Sequence, residues 1–246
     1  MGIKRNIGEI SREKRRKRKV KPLILIVSEG KDTEINYFKQ FNYKYVNVDV
    51  KPVDKNSAGK NKSRKTDPVN LVDRAIEYID NKYDINEEDG DKVWCLMDVD
   101  LNYNNPNPVE SRAQEFQRAY KKIEDYKKES SIKINLGLSN PCFEIWYLMH
   151  YKYTTANFKN YDAVKEKIEK DTPLKEYEKN KSIYSIIHEQ TSIALMNCER
   201  LRKYQEESGK GILDINLNNI KDIIKSNPYT NIDLLVGYIE ELNQKW

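Results

Sequence analysis

PLILIVSEGKDTEINYF, residues 22–38, is the stretch whose reading decides the fold. Pro22 to Ser28 is a continuous aliphatic run of the kind a strand buried on both faces requires. The residues after it switch to helical spacing, with Ile35, Phe38 and Phe41 on one side. Asp32 or Thr33 can cap that helix, and Gly30 can supply backbone freedom at the turn. Strand, turn and helix in this order open a parallel α/β unit, and they put Glu29 on the turn at the strand's carboxyl end.

The same grammar recurs outward from this segment. YVNVDVKPV (45–53) alternates as a strand, and 54–66 is a polar, lysine-rich loop. A helix is predicted from Asp67, with Pro68 in its first turn and a stripe of Val69, Val72, Ile76 and Ile79. KVWCLMDVD (92–100) is a third strand, LNYNNPNP (101–108) a turn, and Val109 to about Ser130 a charged helix. IKINLGLS (132–139) is a fourth strand. Ser139, Asn140 and Pro141 read as a helix start, Asn140 capping and Pro141 in the first turn, with CFEIWYLMHY (142–151) as the helix. Alternating strands and helices imply mostly parallel pairing through crossovers. From Tyr161 the spacing is helical, including one long helix over 182–207 and helical readings of 215–226 and 227–243. The expected organisation is a basic arm (1–21), an α/β core (22–155) and a helical C-terminal region packed on it (156–246).

With 246 residues, 38% hydrophobic and 34% charged, the chain is long enough for a sizeable core and polar for a globular protein. No apolar run reaches the roughly 18–20 residues of a membrane span, and the first residues lack a signal-peptide core, so the expected compartment is the cytoplasm. Cys95, Cys142 and Cys198 sit in apolar segments without CxxC spacing, as buried hydrophobes do. Residues 1–21 hold ten Lys and Arg against Glu9 and Glu13, leaving the rest of the chain at −3. The arm, with Arg15, Arg16 and Arg18, reads either as a phosphate-binding tail or as a solvated one. The same two readings hold for the loop bearing Lys55, Lys60, Lys62, Arg64 and Lys65.

Three acidic positions stand at the ends of apolar runs. Glu29 follows a strand and precedes a Gly and a helix, a better setting for a site than for a dipole-stabilised surface acid. Asp98 and Asp100, two apart on a pleated strand, would face the same way with Val99 turned into packing; the alternative is a pair of turn formers. Glu144 lies among Phe143, Ile145, Trp146 and Leu148, where an acid needs a partner. Oxygen ligands at neighbouring strand ends suit Mg²⁺ or Mn²⁺ and, through it, phosphate. His150 and His188, in apolar segments, are expected in core or half-buried roles. No HExxH, Walker A, GxSxG or GxGxxG pattern occurs, which leaves acid–metal phosphoryl chemistry in front.

LILIVSEGKDTEINYF, MDVDLN, LSNPCFEIWYLMHY and SNPYTNIDLLVGYI together resemble the RloB-like proteins of prokaryotic phage-defence loci, over nearly the whole chain from Pro22. The resemblance implies a Toprim-type catalytic domain, a metal-dependent fold shared with topoisomerases, primases and OLD-family nucleases. It implies Glu29 as general acid/base or ligand and Asp98 and Asp100 as ligands of Mg²⁺ or Mn²⁺, with Glu144 a further catalytic acid. Glu34, Ser139 and Asn140 fall inside family motifs as accessory positions. The function implied is a Mg²⁺-dependent endonuclease, cutting DNA or RNA, tRNA included, as effector of an abortive-infection system beside a partner ATPase. The alternative is a non-catalytic Toprim-fold subunit that binds nucleic acid or docks that ATPase. No membrane partner is expected, and a homo-oligomer is left open.

Overall fold

A computed structural model of the chain describes residues 21–30, 32–41, 46–52, 67–209 and 215–244. Arg15, Arg16 and Arg18 of the basic arm, and Lys55, Lys60, Lys62, Arg64 and Lys65 of the basic loop, lie outside the described residues.

Five strands form one sheet: β1 (Leu23–Ser28), β2 (Asn47–Pro52), β3 (Lys92–Asp98), β4 (Ile134–Asn140) and β5 (Tyr229–Thr230), in the order β2-β1-β3-β4-β5. The pairs β1·β2, β1·β3 and β3·β4 are parallel, and β4·β5 is antiparallel. Successive residues of the central strands enter opposite layers. Ile24, Ile26, Trp94 and Leu96 join one core, while Leu25, Val27, Val93, Cys95 and Met97 join the other. Both faces of the sheet are thus covered, which is why these strands read as unbroken apolar runs.

Helix α1 (Thr33–Phe38) packs on the first face and buries Ile35 and Phe38, with Phe41 in the 3-10 turn behind it. The second face is covered by α2 (Pro68–Asn81) and α3 (Pro108–Ser130). The helix expected from Asp67 begins at Pro68, and Asp67 caps it, its carboxylate accepting from Val69 N at 3.0 Å. The buried stripe of α2 is rotated from the expected one. Leu71, Val72, Ala75 and Ile79 face the sheet at i, i+1, i+4 and i+8, and Val69 and Ile76 flank them.

The remaining helices are α4 (Glu144–Met149), α5 (Tyr161–Asp171), α6 (Tyr184–Ile187), α7 (Thr191–Glu207), α8 (Ile220–Lys225) and α9 (Ile232–Gln244). The single long helix expected over 182–207 is interrupted by a 3-10 turn at His188–Gln190, where Thr191 Oγ1 donates to the His188 carbonyl at 2.7 Å. SNPYTNID does not continue as helix. Its Tyr229 and Thr230 pair with Asn140 and Ser139, so the C-terminal region adds a strand to the sheet before α9 begins. No helix among the described residues is long and apolar enough to cross a membrane. The three cysteines are free and buried. His150 is buried as expected, but His188 is exposed and stacks on Tyr184 with centroids 5.3 Å apart.

Candidate active site

The strand order places the site. From β1 the chain crosses to β2 on one side through α1; from β2 it returns past β1 to β3 through α2 on the opposite face. The carboxyl ends of β1 and β3 therefore flank a topological switch point, where the two connections part and leave a crevice. Glu29 is the first residue past β1, half-buried, its N–H donating to the Leu96 carbonyl of β3 at 3.2 Å. Asp98 ends β3 beside it.

A cavity of about 320 Å³ opens here, lined by Glu29, Gly30, Asp32, Thr33, Glu34, Asp98, Asp100, Phe143, Glu144 and Lys179. The structure thus brings Glu29, Glu34, Asp98, Asp100 and Glu144 together, from the end of β1, α1, the end of β3 and the turn after it, and α4. Asp98 and Asp100 do not reach it by pleat geometry. The strand stops at Asp98, and Asp100 is exposed on a turn with φ of 30°. Val99 is packed inside, as expected, its N–H donating to Ser139 O at 2.8 Å. That turn is clamped by Arg112 of α3, which donates from Nη2 to the Asp98 carbonyl at 2.7 Å and from Nε to the Val99 carbonyl at 2.9 Å.

Gly30 serves space rather than turn conformation. A Cβ there would lie 2.8 Å from the Glu34 carboxyl carbon, so the glycine lets Glu34 fold back into the cavity. Neither Asp32 nor Thr33 caps α1 with its side chain: Asp32 holds the cap position without a side-chain bond. Thr33 Oγ1 instead donates to Glu144 Oε1 at 3.3 Å. The same oxygen accepts from Tyr177 OH at 3.1 Å and has Lys179 Nζ at 3.8 Å. Glu144, 1% exposed, therefore has the partners its apolar helix demands.

The helix it opens begins later than the sequence suggests. Strand β4 runs through Ser139 and Asn140, and α4 starts at Glu144 with Phe143 at its cap. Asn140 is fully engaged elsewhere, its Nδ2 donating to the carbonyls of Ile224 and Ser226 at 2.9 and 2.7 Å. Ser139 Oγ bonds Thr230 Oγ1 at 3.3 Å. These two accessory candidates do not line the cavity; they fasten the C-terminal region to the sheet that carries it.

Crowded carboxylates with little countercharge resist ionising. Burial pushes Glu34 up to about 7, and the nearby charges of Glu144 and Glu29 add to this against an opposing backbone hydrogen bond and Lys179. Asp98 is held well above the ordinary carboxylate range by burial and then by Glu34, Glu144 and Glu29. His150, by contrast, takes no part: burial lowers it to about 4, and its Nδ1 lies 2.9 Å from the Trp146 carbonyl.

Among the described residues, no three or more His, Cys, Asp or Glu side chains close on one point as a metal-holding group. The donor chemistry nonetheless fits a hard divalent cation. Every acidic donor around the cavity is a carboxylate, and Glu34 and Asp98 are starved of positive charge. Rotation of the half-buried Glu29 and Asp98 side chains and of the exposed Asp100 is what would gather the oxygens.

Sequence reasoning missed Asp32, Thr33, Tyr177, Lys179 and Arg112. The first two lay in plain view beside Glu29 and read only as caps. The others come from distant segments with no local signal.

The fold and crevice define an α/β protein with an acidic site at the switch point of a mostly parallel sheet. The chain belongs to the RloB-like family, whose model, described as RloB-like protein, matches residues 24–239. No curated protein and no solved structure matches it.

Proposed function

We propose that this chain is a divalent-metal-dependent nuclease of Toprim type, hydrolysing phosphodiester bonds in DNA or RNA, with tRNA among the candidate substrates. One observation carries the reading: six carboxylates from separate elements surround one cavity at the switch point, with a lysine among them. A binding scaffold gains nothing from concentrating negative charge where a phosphate must approach.

Glu29, Asp98 and Asp100 would hold Mg²⁺ or Mn²⁺. Such an ion, when bound, neutralises phosphate oxygens and lowers the pKa of water. Glu34, near neutrality in its proton affinity, is able to hold or release a proton at its carboxyl oxygen within the same cavity. Glu144 ties α4 to Thr33 and Tyr177 and so fixes the wall against which the other acids stand. Arg112 holds the backbone of the Asp98–Val99 turn. Phe143 supplies an apolar wall that limits water.

The family resemblance supports an antiphage, abortive-infection setting with a partner ATPase, and a cytoplasmic location. The test is incubation of purified protein with labelled DNA, RNA and tRNA, with and without Mg²⁺. Metal-dependent cleavage, lost in Glu29→Gln and Asp98→Ala, is expected, as is toxicity on expression that Asp98→Ala relieves. Equal cleavage by Glu29→Gln would remove the role given to that acid. An acidic site that takes no metal, with nuclease activity arising only from a co-purified ATPase, would favour a docking subunit.

A further inference from the structure

The geometry points to Lys179 as the substrate-phosphate ligand of this site, delivered by the segment 172–183 from outside the α/β core. The inference rests on the nuclease reading above and names a cation that it lacks. Residues 172–183 link α5 to α6 and are anchored on both sides of the crevice. Leu174 and Tyr177 are buried, Tyr177 OH bonds Glu144, and the Asn180 carbonyl accepts from Asn36 Nδ2 of α1 at 3.3 Å.

Three lysines lie on this segment, and they divide. Lys175 donates to the Glu169 carbonyl, and Lys181 donates to the Glu176 carbonyl at 2.9 Å, so both fold back on their own stretch of chain. Lys179 instead turns to the acids and is the one basic side chain among the described residues that line the cavity. Its ammonium stands 4.2 Å from the centre of the Tyr161 ring, which steers it, and 3.8 Å from Glu144 Oε1.

That ion pair is loose, and Glu144 Oε1 already accepts two hydroxyls at 3.3 and 3.1 Å. With its side chain 46% exposed, Lys179 spans cavity and solvent and keeps donors for an incoming group. An ammonium at the mouth of an acidic cavity suits an anion that must approach carboxylates: it offsets their field and binds a non-bridging phosphate oxygen. Were Glu29, Asp98 and Asp100 to hold a divalent ion, its charge would offset theirs, and Lys179 would be freer to engage phosphate.

The experiment compares wild type, Lys179→Met, Lys179→Arg and, as control, Lys203→Met, whose lysine pairs with Glu199 on the exposed face of α7. Fluorescein-labelled 20-nucleotide single-stranded DNA and RNA are titrated by anisotropy, in EDTA and in Ca²⁺, over a series of salt concentrations. Mn²⁺ affinity is measured separately by calorimetry. Lys179→Met is expected to bind the oligonucleotides about tenfold or more weakly, with the salt slope reduced by about one ion. Mn²⁺ binding should be undiminished, and Lys179→Arg should restore most of the oligonucleotide affinity.

Unchanged oligonucleotide affinity and slope in Lys179→Met would overturn the inference, as would wild type that binds neither probe. A matching loss in Lys203→Met would overturn it too. Wild type that takes no Mn²⁺, while Lys179→Met still loses oligonucleotide binding, would sink the metal-centre reading and leave the lysine's role standing.

Discussion

Replacing Glu34 by Gln isolates the electrostatic cost built into the crevice. Glu34 is 5% exposed and its carboxyl titrates at about 7 in the folded chain, against 4.5 as its ordinary value. Because the folded state holds this proton more tightly than the unfolded one, stability falls as pH rises through the window from 4.5 to 7, and the loss is complete above 7. About two and a half pH units at roughly 1.4 kcal/mol each makes the penalty on the order of 3 kcal/mol at pH 8 in metal-free protein. Gln keeps the shape and cannot ionise. Glu34→Gln is therefore expected to raise the stability of metal-free protein at pH 8 by about that amount, roughly 6–12 °C in Tm for a chain of this length. At pH 4.5 and below the two proteins should nearly coincide. The assay is urea or thermal unfolding in EDTA across pH 4.5–8, read as wild type minus variant. Asp98 is shifted in the same direction, so the variant will keep part of the pH dependence. If wild type and Glu34→Gln lose equal stability over this window, Glu34 does not carry the strain assigned to it.

Two further outcomes test the frame around the site. Arg112→Met removes the clamp on the Asp98 and Val99 carbonyls without touching the cavity, so cleavage should fall about tenfold in kcat while the far-UV circular dichroism stays native. Asn140→Ala leaves the buried carbonyls of Ile224 and Ser226 without their donor. A loss of roughly 2–4 kcal/mol by chemical denaturation is expected, with weakened protection of β5 in hydrogen exchange.

Much of the architecture was legible because parallel strands covered on both faces must be apolar throughout, as Leu23–Ser28 and Lys92–Asp98 nearly are. The helix start after Asp67 and the turn after Asp98 carried equally local signals. Errors gathered where long-range bonds outweigh local propensity. Asn140 looks like a helix cap in isolation, yet its amide is used by carbonyls 84 and 86 residues away, which holds it in the strand. Tyr229 and Thr230 sit between helices and become a strand because Asn140 and Ser139 present a free edge. Asn231 reinforces that pairing, donating from Nδ2 to Leu136 O and accepting from Leu138 N.

The site divides in the same way. Glu29, Asp98, Asp100 and Glu144 announce themselves in sequence, since an acid directly after or within an apolar run is costly to place anywhere but at a functional or partnered position. Their shared cavity depends on strand order. Only the return of the chain past β1 to β3 opens the crevice between Glu29 and Asp98. Composition and spacing by themselves determined four of the five strands and the acids at their ends. The tertiary structure alone decided that Glu34 folds back over Gly30, that Arg112 clamps the Asp98 turn, and that Lys179 crosses from the C-terminal region to face the acids. Charges 35 to 150 residues apart carry no periodic signal, and packing brings them into one electrostatic field.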